Sequence, residues 1–171
     1  MEKENIILTG MPGAGKSTIG IVLAKVMGYD FVDPDLLIQK EKGKFLWQII
    51  DEVGIEGFNA IEEEVNSKIQ AVHSVIAPGG SVVYGPRAME HLKSIGTVVY
   101  LDVDLELLEK RIGNLERRGV VKKTGQTLKH LYDERLPLYH KYADVIIHEN
   151  NDSISETVAS IVEEIGKLKK R

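Results

Sequence analysis

An apolar run, Asn5-Ile6-Ile7-Leu8-Thr9, leads straight into Gly10-Met11-Pro12-Gly13-Ala14-Gly15-Lys16-Ser17, and this junction constrains the chain more than any other feature. The eight residues match the phosphate-loop pattern G-x-x-x-x-G-K-[ST]. Glycines let the backbone curl so that successive N–H groups point inward at an anion. Lys16 adds a mobile positive charge for the outer phosphates, and Ser17 or Thr18 offers a hydroxyl to Mg²⁺. With Gly at about 7% of residues, the four specified positions coincide by chance in well under about 1% of chains of this length. The stretch KSTIGIVLAKVM over residues 16–27 puts Ile19, Leu23 and Val26 on one helical face, with Val22 beside them. The positive end of that helix faces the same phosphates. A nucleotide-phosphate site follows, with Gly13, Ala14, Gly15, Lys16, Ser17 and Thr18 lining it.

The 171 residues suit one domain, 1–171, with a full core. A formal charge of −4 argues against a general nucleic-acid binder, which needs clustered Lys and Arg. The chain has no cysteine, which excludes a disulfide scaffold and a thiolate zinc site. No apolar run approaches membrane-spanning length, and Met1-Glu2-Lys3-Glu4 lacks a signal-peptide layout, so a cytoplasmic setting is expected.

A second strand over residues 29–33 ends in Asp33-Pro34-Asp35, with Pro34 suited to open a helix. Residues 36–72 read as largely helical, broken near Gly43 and Gly54, and 74–77 as a third strand stopped by Pro78-Gly79-Gly80. A helix over 87–94, a strand over 97–101 and a helix over 104–111 follow. Residues 113–125, rich in Gly and basic side chains, read as a loop or short helical lid. Residues 127–141 form a helix that Pro137 should kink or end. A fifth strand covers 144–148, and Ser153 with Glu156 forms a capping box for the last helix. Apolar strands alternating with helices imply an α/β three-layer sandwich around a five-stranded parallel sheet. Ligands of such sheets bind outside the carboxyl ends of the strands, where Asp33, Asp35, Gly79 and Gly80 gather beside the loop. Trp47, in an apolar patch with Phe45, Leu46 and Ile50, favours core packing over substrate stacking. The five histidines show no metal spacing. Glu62, Glu63 and Glu64 read as a charged helix face, with a second task only for Glu62, orienting residue 59.

Taken in order, these elements resemble the shikimate kinases, within the nucleoside-monophosphate-kinase-like branch of P-loop proteins, over nearly the whole chain. The family loop G-x-P-G-x-G-K-[ST] stands here as GMPGAGKST, and its strand ending D-x-D as Asp33-Pro34-Asp35. A Gly-rich turn follows the third strand, and an Arg-bearing lid lies past the fourth. The R-x-P-L-Y stretch is Arg135-Leu136-Pro137-Leu138-Tyr139. The resemblance implies a P-loop kinase with an acceptor-binding helical region at about 34–72 and a lid at about 113–125. It implies ATP and Mg²⁺ as cofactors, and phosphorylation of a hydroxyl on a small polar metabolite. Shikimate, giving shikimate 3-phosphate in aromatic amino acid biosynthesis, is the leading acceptor. By the same resemblance Lys16 holds the β- and γ-phosphates, Ser17 ligates Mg²⁺, and Asp33 holds the metal through water. Asp35 binds acceptor hydroxyls and serves as base, Arg135 binds the acceptor, Arg111 stacks on adenine, and Arg118 is the catalytic lid residue, with Arg117 adjacent. A monomer without nucleic-acid or membrane partners is expected.

Three stretches depart from the pattern. The family's G-E-x-x-F-R-x-x-E, whose Arg grips the shikimate carboxylate, reads Gly54-Ile55-Glu56-Gly57-Phe58-Asn59-Ala60-Ile61-Glu62 here. Its glycine triplet reads Gly79-Gly80-Ser81, and its lid R-P-L-L reads Arg118-Gly119-Val120-Val121. An amide at 59 suits a hydroxyl better than a carboxylate. Another polyol, cyclitol or hydroxy acid therefore stands as the alternative acceptor. A non-catalytic ATP-binding switch is a further alternative, opposed by Asp35, Arg118 and Arg135 occurring together.

Overall fold

The computed structural model describes residues 4–112 and 120–170, so Arg117, Arg118 and the first seven residues of the expected lid lie outside the described residues. Five strands, β1 (Asn5–Thr9), β2 (Asp30–Val32), β3 (Ser74–Ile76), β4 (Gly96–Val103) and β5 (Val145–Glu149), form one sheet in the order β2-β3-β1-β4-β5. Every pairing is parallel. Seven helices occur among the described residues: α1 (Lys16–Met27), α2 (Pro34–Lys42), α3 (Leu46–Ser67), α4 (Pro86–Ile95), α5 (Leu105–Arg111), α6 (Leu128–Tyr142) and α7 (Ile154–Lys169). The strand order reverses beside β1, and the crevice this opens at its carboxyl end is where such sheets bind ligands. The phosphate loop leaves β1 at that point.

β1 is buried along its whole length, as a central parallel strand covered on both faces must be. Asn5, its one amide, is fully satisfied: Nδ2 donates to the carbonyls of Ala71 (2.7 Å) and Ile95 (2.9 Å), and Oδ1 accepts from Ser74 N (3.0 Å). The main core gathers on this sheet, with Ile7, Leu8, Leu23, Val75, Val99 and Ile161 fully enclosed. A second cluster of Ile38, Ile49, Phe58 and Val121 joins α2 and α3 to the later part of the expected lid.

Several local expectations change. The buried arc of α1 runs through Ile19, Gly20, Leu23 and Ala24, leaving Val26 62% exposed. Small residues mark the close approach to the sheet, and a reading weighted to large apolar side chains passes over them. Trp47 is 52% exposed and Phe45 63%, so neither packs in the core. The first turns of α3 present Ile49 inward, which turns residue 47 outward. Gly80–Tyr84 forms a 3-10 turn. Pro137 lies inside α6 without ending it. Proline and the residue one turn before it, Asp133, both face solvent, while Arg135 and Tyr139 anchor the helix inside.

Candidate active site

A chamber of about 430 Å³ opens at the carboxyl edge of the sheet. The phosphate loop forms one wall, α2 and α3 a second, and the 3-10 turn with α6 a third. At Gly13 the backbone is left-handed (φ +83°), and a Cβ there would lie 2.5 Å from Ile112 Cγ1. Only glycine fits that bend. Lys16 caps the loop from inside, its Nζ donating to the carbonyls of Gly10 (2.8 Å) and Met11 (3.0 Å). Burial pulls the Lys16 ammonium down to about 8, against the opposing pull of Asp35.

Gly13, Gly15, Lys16, Ser17 and Thr18 line the chamber, with the hydroxyl residues Ser17 and Thr18 exposed. Ala14 is buried, and its N–H donates to the Met11 carbonyl at 3.1 Å. It borders a smaller hollow of about 210 Å³ on the other side of the loop, together with Arg111, Glu149 and Asp152. Arg111 touches both spaces and is ion-paired to the buried Glu149, with Nη2 2.5 Å from Oε1.

Asp33 caps α2: its Oδ1 accepts from the N–H of Asp35 (2.9 Å) and of Leu36 (3.3 Å). It stands beside the chamber rather than on its lining. Asp35, two residues on, faces the interior, and its Oδ1 is buried with no hydrogen-bond partner. Burial, and then the neighbouring Asp33, push the Asp35 carboxyl up to about 6, with Lys16 opposing.

Arg135 is 1% exposed and reaches the chamber from α6. Its Nε donates to Tyr84 Oη (3.2 Å), its Nη2 to the Val121 carbonyl (2.6 Å), and its guanidinium lies over the Tyr84 ring. Tyr139, one turn further along α6, donates to the Gly80 carbonyl at 2.7 Å. Gly79 and Gly80 line the chamber because side chains there would collide. A Cβ on Gly79 would meet Glu62 Oε1 at 2.9 Å and Asp35 Oδ1 at 3.1 Å, and one on Gly80 would meet Arg135 Nη1 at 3.0 Å.

Asn59 does not reach the chamber lining, although its Oδ1 is buried and unpartnered. Glu62 does reach it. Far from being a solvated face, Glu62 is 2% exposed, and its Oε2 accepts from Ser81 Oγ at 2.6 Å. Burial pushes its carboxyl up to about 8, with the Ser81 hydrogen bond opposing and Asp35 adding. The sequence carried a signal for this, since Glu62 stands four residues after Phe58 on the apolar stripe that continues through Ile61 and Val65. The structure thus brings Lys16, Ser17, Asp35, Gly79, Gly80, Arg111 and Arg135 around one cavity, and adds Glu62 and Ser81 to them.

A parallel sheet whose first strand feeds a phosphate loop, with an acid and an arginine lining the same chamber as the loop lysine, defines a P-loop small-molecule kinase. Residues 12–166 match the family model for shikimate kinase. The shikimate kinase of Chlorobium chlorochromatii is 36% identical over 98% of this chain and 94% of its own. That of Histophilus somni is 35% identical over 98% of both. Among solved structures, shikimate kinase from Acinetobacter baumannii in complex with shikimate superposes with a TM-score of 0.82 at 30% identity, covering 98% of this chain and 96% of its own. The chain belongs to the shikimate kinase family.

Proposed function

We propose that this enzyme phosphorylates a hydroxyl of shikimate at the expense of ATP, giving shikimate 3-phosphate. The observation that carries this reading is the placing of Asp35, with one unpartnered oxygen, in the same chamber as the loop lysine. Asp35 takes the proton of the attacking hydroxyl as its oxygen forms the new bond to phosphorus. Lys16 stabilises the charge that develops on the transferring group and on the departing ADP. Arg135 holds the acceptor carboxylate through its guanidinium.

The residues fit a Mg–nucleotide. The exposed Ser17 hydroxyl and the cradle at Gly13, which a Cβ would fill, suit a metal-bound phosphate chain, with Asp33 reaching the ion through water. Mg²⁺ so held would neutralise charge on the phosphates. Arg111 borders the base. In this reading the chain acts as one kinase domain over 1–171 and as a monomer, with residues 34–72 holding the acceptor. Residues 113–125 form a lid that brings Arg118 to the phosphates and excludes water.

The second reading, another polyol, cyclitol or hydroxy acid as acceptor, draws on Asn59, which puts no guanidinium on α3. Acceptor-dependent ADP release over shikimate and a panel of hydroxylated acids and cyclitols tests both. Shikimate should stimulate release, and Lys16→Ala should silence it with every acceptor. ATP binding without stimulation by any of them overturns the kinase reading.

A further inference from the structure

Among the described residues three cations line the chamber: Lys16, Arg111 and Arg135. Lys16 is bonded to the phosphate loop, and Arg111 is ion-paired to Glu149 beside it. Arg135 is fully buried, yet its hydrogen bonds go to a phenol and a carbonyl rather than to a carboxylate. A buried guanidinium is costly unless an anion meets it, so a ligand carboxylate completes this one.

What fixes Arg135 lies behind the chamber wall. Nε donates to Tyr84 Oη at 3.2 Å and Nη2 to the Val121 carbonyl at 2.6 Å, while Nη1 lies toward Gly80 on the chamber lining. The Tyr84 ring also faces the guanidinium, with its centroid 5.2 Å from Cζ. Tyr84 is not itself on the lining, so it meets no ligand there. Its hydroxyl donates to Glu134, which Gln126 Nε2 also holds at 3.3 Å. Burial, and then the Glu134 bond, keep the proton on the phenol. Tyr84 therefore stays neutral and stands between Arg135 and the Glu134 carboxylate. A phenol and a carbonyl set the direction of the guanidinium without cancelling its charge, as a directly bonded carboxylate would.

We propose that Tyr84 is a positioning residue that aims Arg135 at the acceptor carboxylate, and so sets the enzyme's preference for an acid over an uncharged analogue. Glu134 steadies Tyr84 in turn. This inference rests on the kinase reading for its ligand, but binding alone tests it.

Titration calorimetry on the full chain with ADP and Mg²⁺ compares shikimate with its methyl ester, which keeps every hydroxyl and loses the charge. Wild type should prefer the acid by about tenfold to a hundredfold. Tyr84→Phe keeps the ring and removes only the hydroxyl. It should cut that preference by about threefold to tenfold, with ester and ADP affinity unchanged to within about twofold. In steady state, KM for shikimate should rise by a similar factor while kcat and KM for ATP hold. Glu134→Ala, at an exposed position, should shift the preference in the same direction by about twofold. A wild type that binds acid and ester alike overturns the proposal without any variant. So does an unchanged preference in Tyr84→Phe, including an equal weakening of both ligands, which is the mark of lost packing alone. Should Tyr84→Phe fail to fold, an unchanged preference in Glu134→Ala overturns it instead. ADP release measured in parallel separates the two readings. An acid preference that falls in Tyr84→Phe without phosphoryl transfer in the wild type sinks the kinase reading alone, and failure of shikimate to bind sinks both.

Discussion

At Asp35, burial and the neighbouring Asp33 both hold the proton on, which raises the carboxyl to about 6. A base works only when ionised, so the sign of the pH effect is fixed. Activity should be level between about pH 6 and pH 8, fall about tenfold for each unit below pH 6, and fall again above pH 8 as Lys16 loses its charge. Asp35→Asn should lower kcat by about 10²- to 10⁴-fold and abolish that acid limb, while ATP still binds. A pH profile of kcat/KM for both proteins checks this, and an acid limb that survives in Asp35→Asn would move the base elsewhere. That Lys16, Ser17 and Asp35 share one cavity was legible in the sequence because they stand in short motifs of fixed spacing. Glu62 was not. It sits in a run of three glutamates that looks solvated, and the partner that explains it, Ser81, is 19 residues away and meets it only in the fold.

Among the elements, α3 brings Leu46, Phe58 and Glu62 to the chamber wall, and it does so across a break. Gly54 has φ 72° and ψ 178° inside it. The break turns Leu46 and Ile49 on one side and Phe58 and Glu62 on the other toward the same space. Nothing lies within 4 Å of a Cβ placed on Gly54, so a substitution there is penalised by backbone conformation alone. Gly54→Ala should cost about 1–3 kcal/mol and lower Tm by about 2–4 °C per kcal/mol. It should also raise KM for the acceptor and leave KM for ATP unchanged. A thermal melt and two KM values check this, and equal rises in both KM values would deny α3 its separate role. The helix breaks at Gly43 and Gly54 could be read from sequence, because glycine interrupts an otherwise periodic pattern. The outward turn of Trp47 could not, since it depends on which of several adjacent apolar residues meets α2. Nor could the 3-10 turn, whose Ser81-Val82-Val83 is as apolar as a strand.

At the scale of the whole molecule, the parallel sheet brings charge into its own interior, and folding bears the cost. The alternation of strands and helices made the sheet legible, and its order places the loop, α2 and the turn after β3 at one edge. How deeply that edge buries its acids depends on packing that no motif encodes. Glu62 is the clearest case. Burial raises its carboxyl from an ordinary 4.5 to about 8, with the Ser81 hydrogen bond opposing. Between those values the native protein holds a proton that the unfolded chain releases, so stability falls as pH rises through this window. Asp35 acts in the same direction between 3.8 and about 6. Lys16, lowered from 10.5 to about 8 by burial, acts in the opposite direction, but only above about pH 8. Tm of the ligand-free protein should therefore decline from pH 5 to pH 8 and turn upward above it, where only the Lys16 contribution remains. Glu62→Gln cannot ionise, so it should flatten most of that decline and melt higher than the wild type at pH 8. Calorimetric melts of both proteins across the range test this. Parallel slopes in the two would place the titrating charge elsewhere, and would leave the buried Glu62–Ser81 pair without the energetic cost assigned to it here.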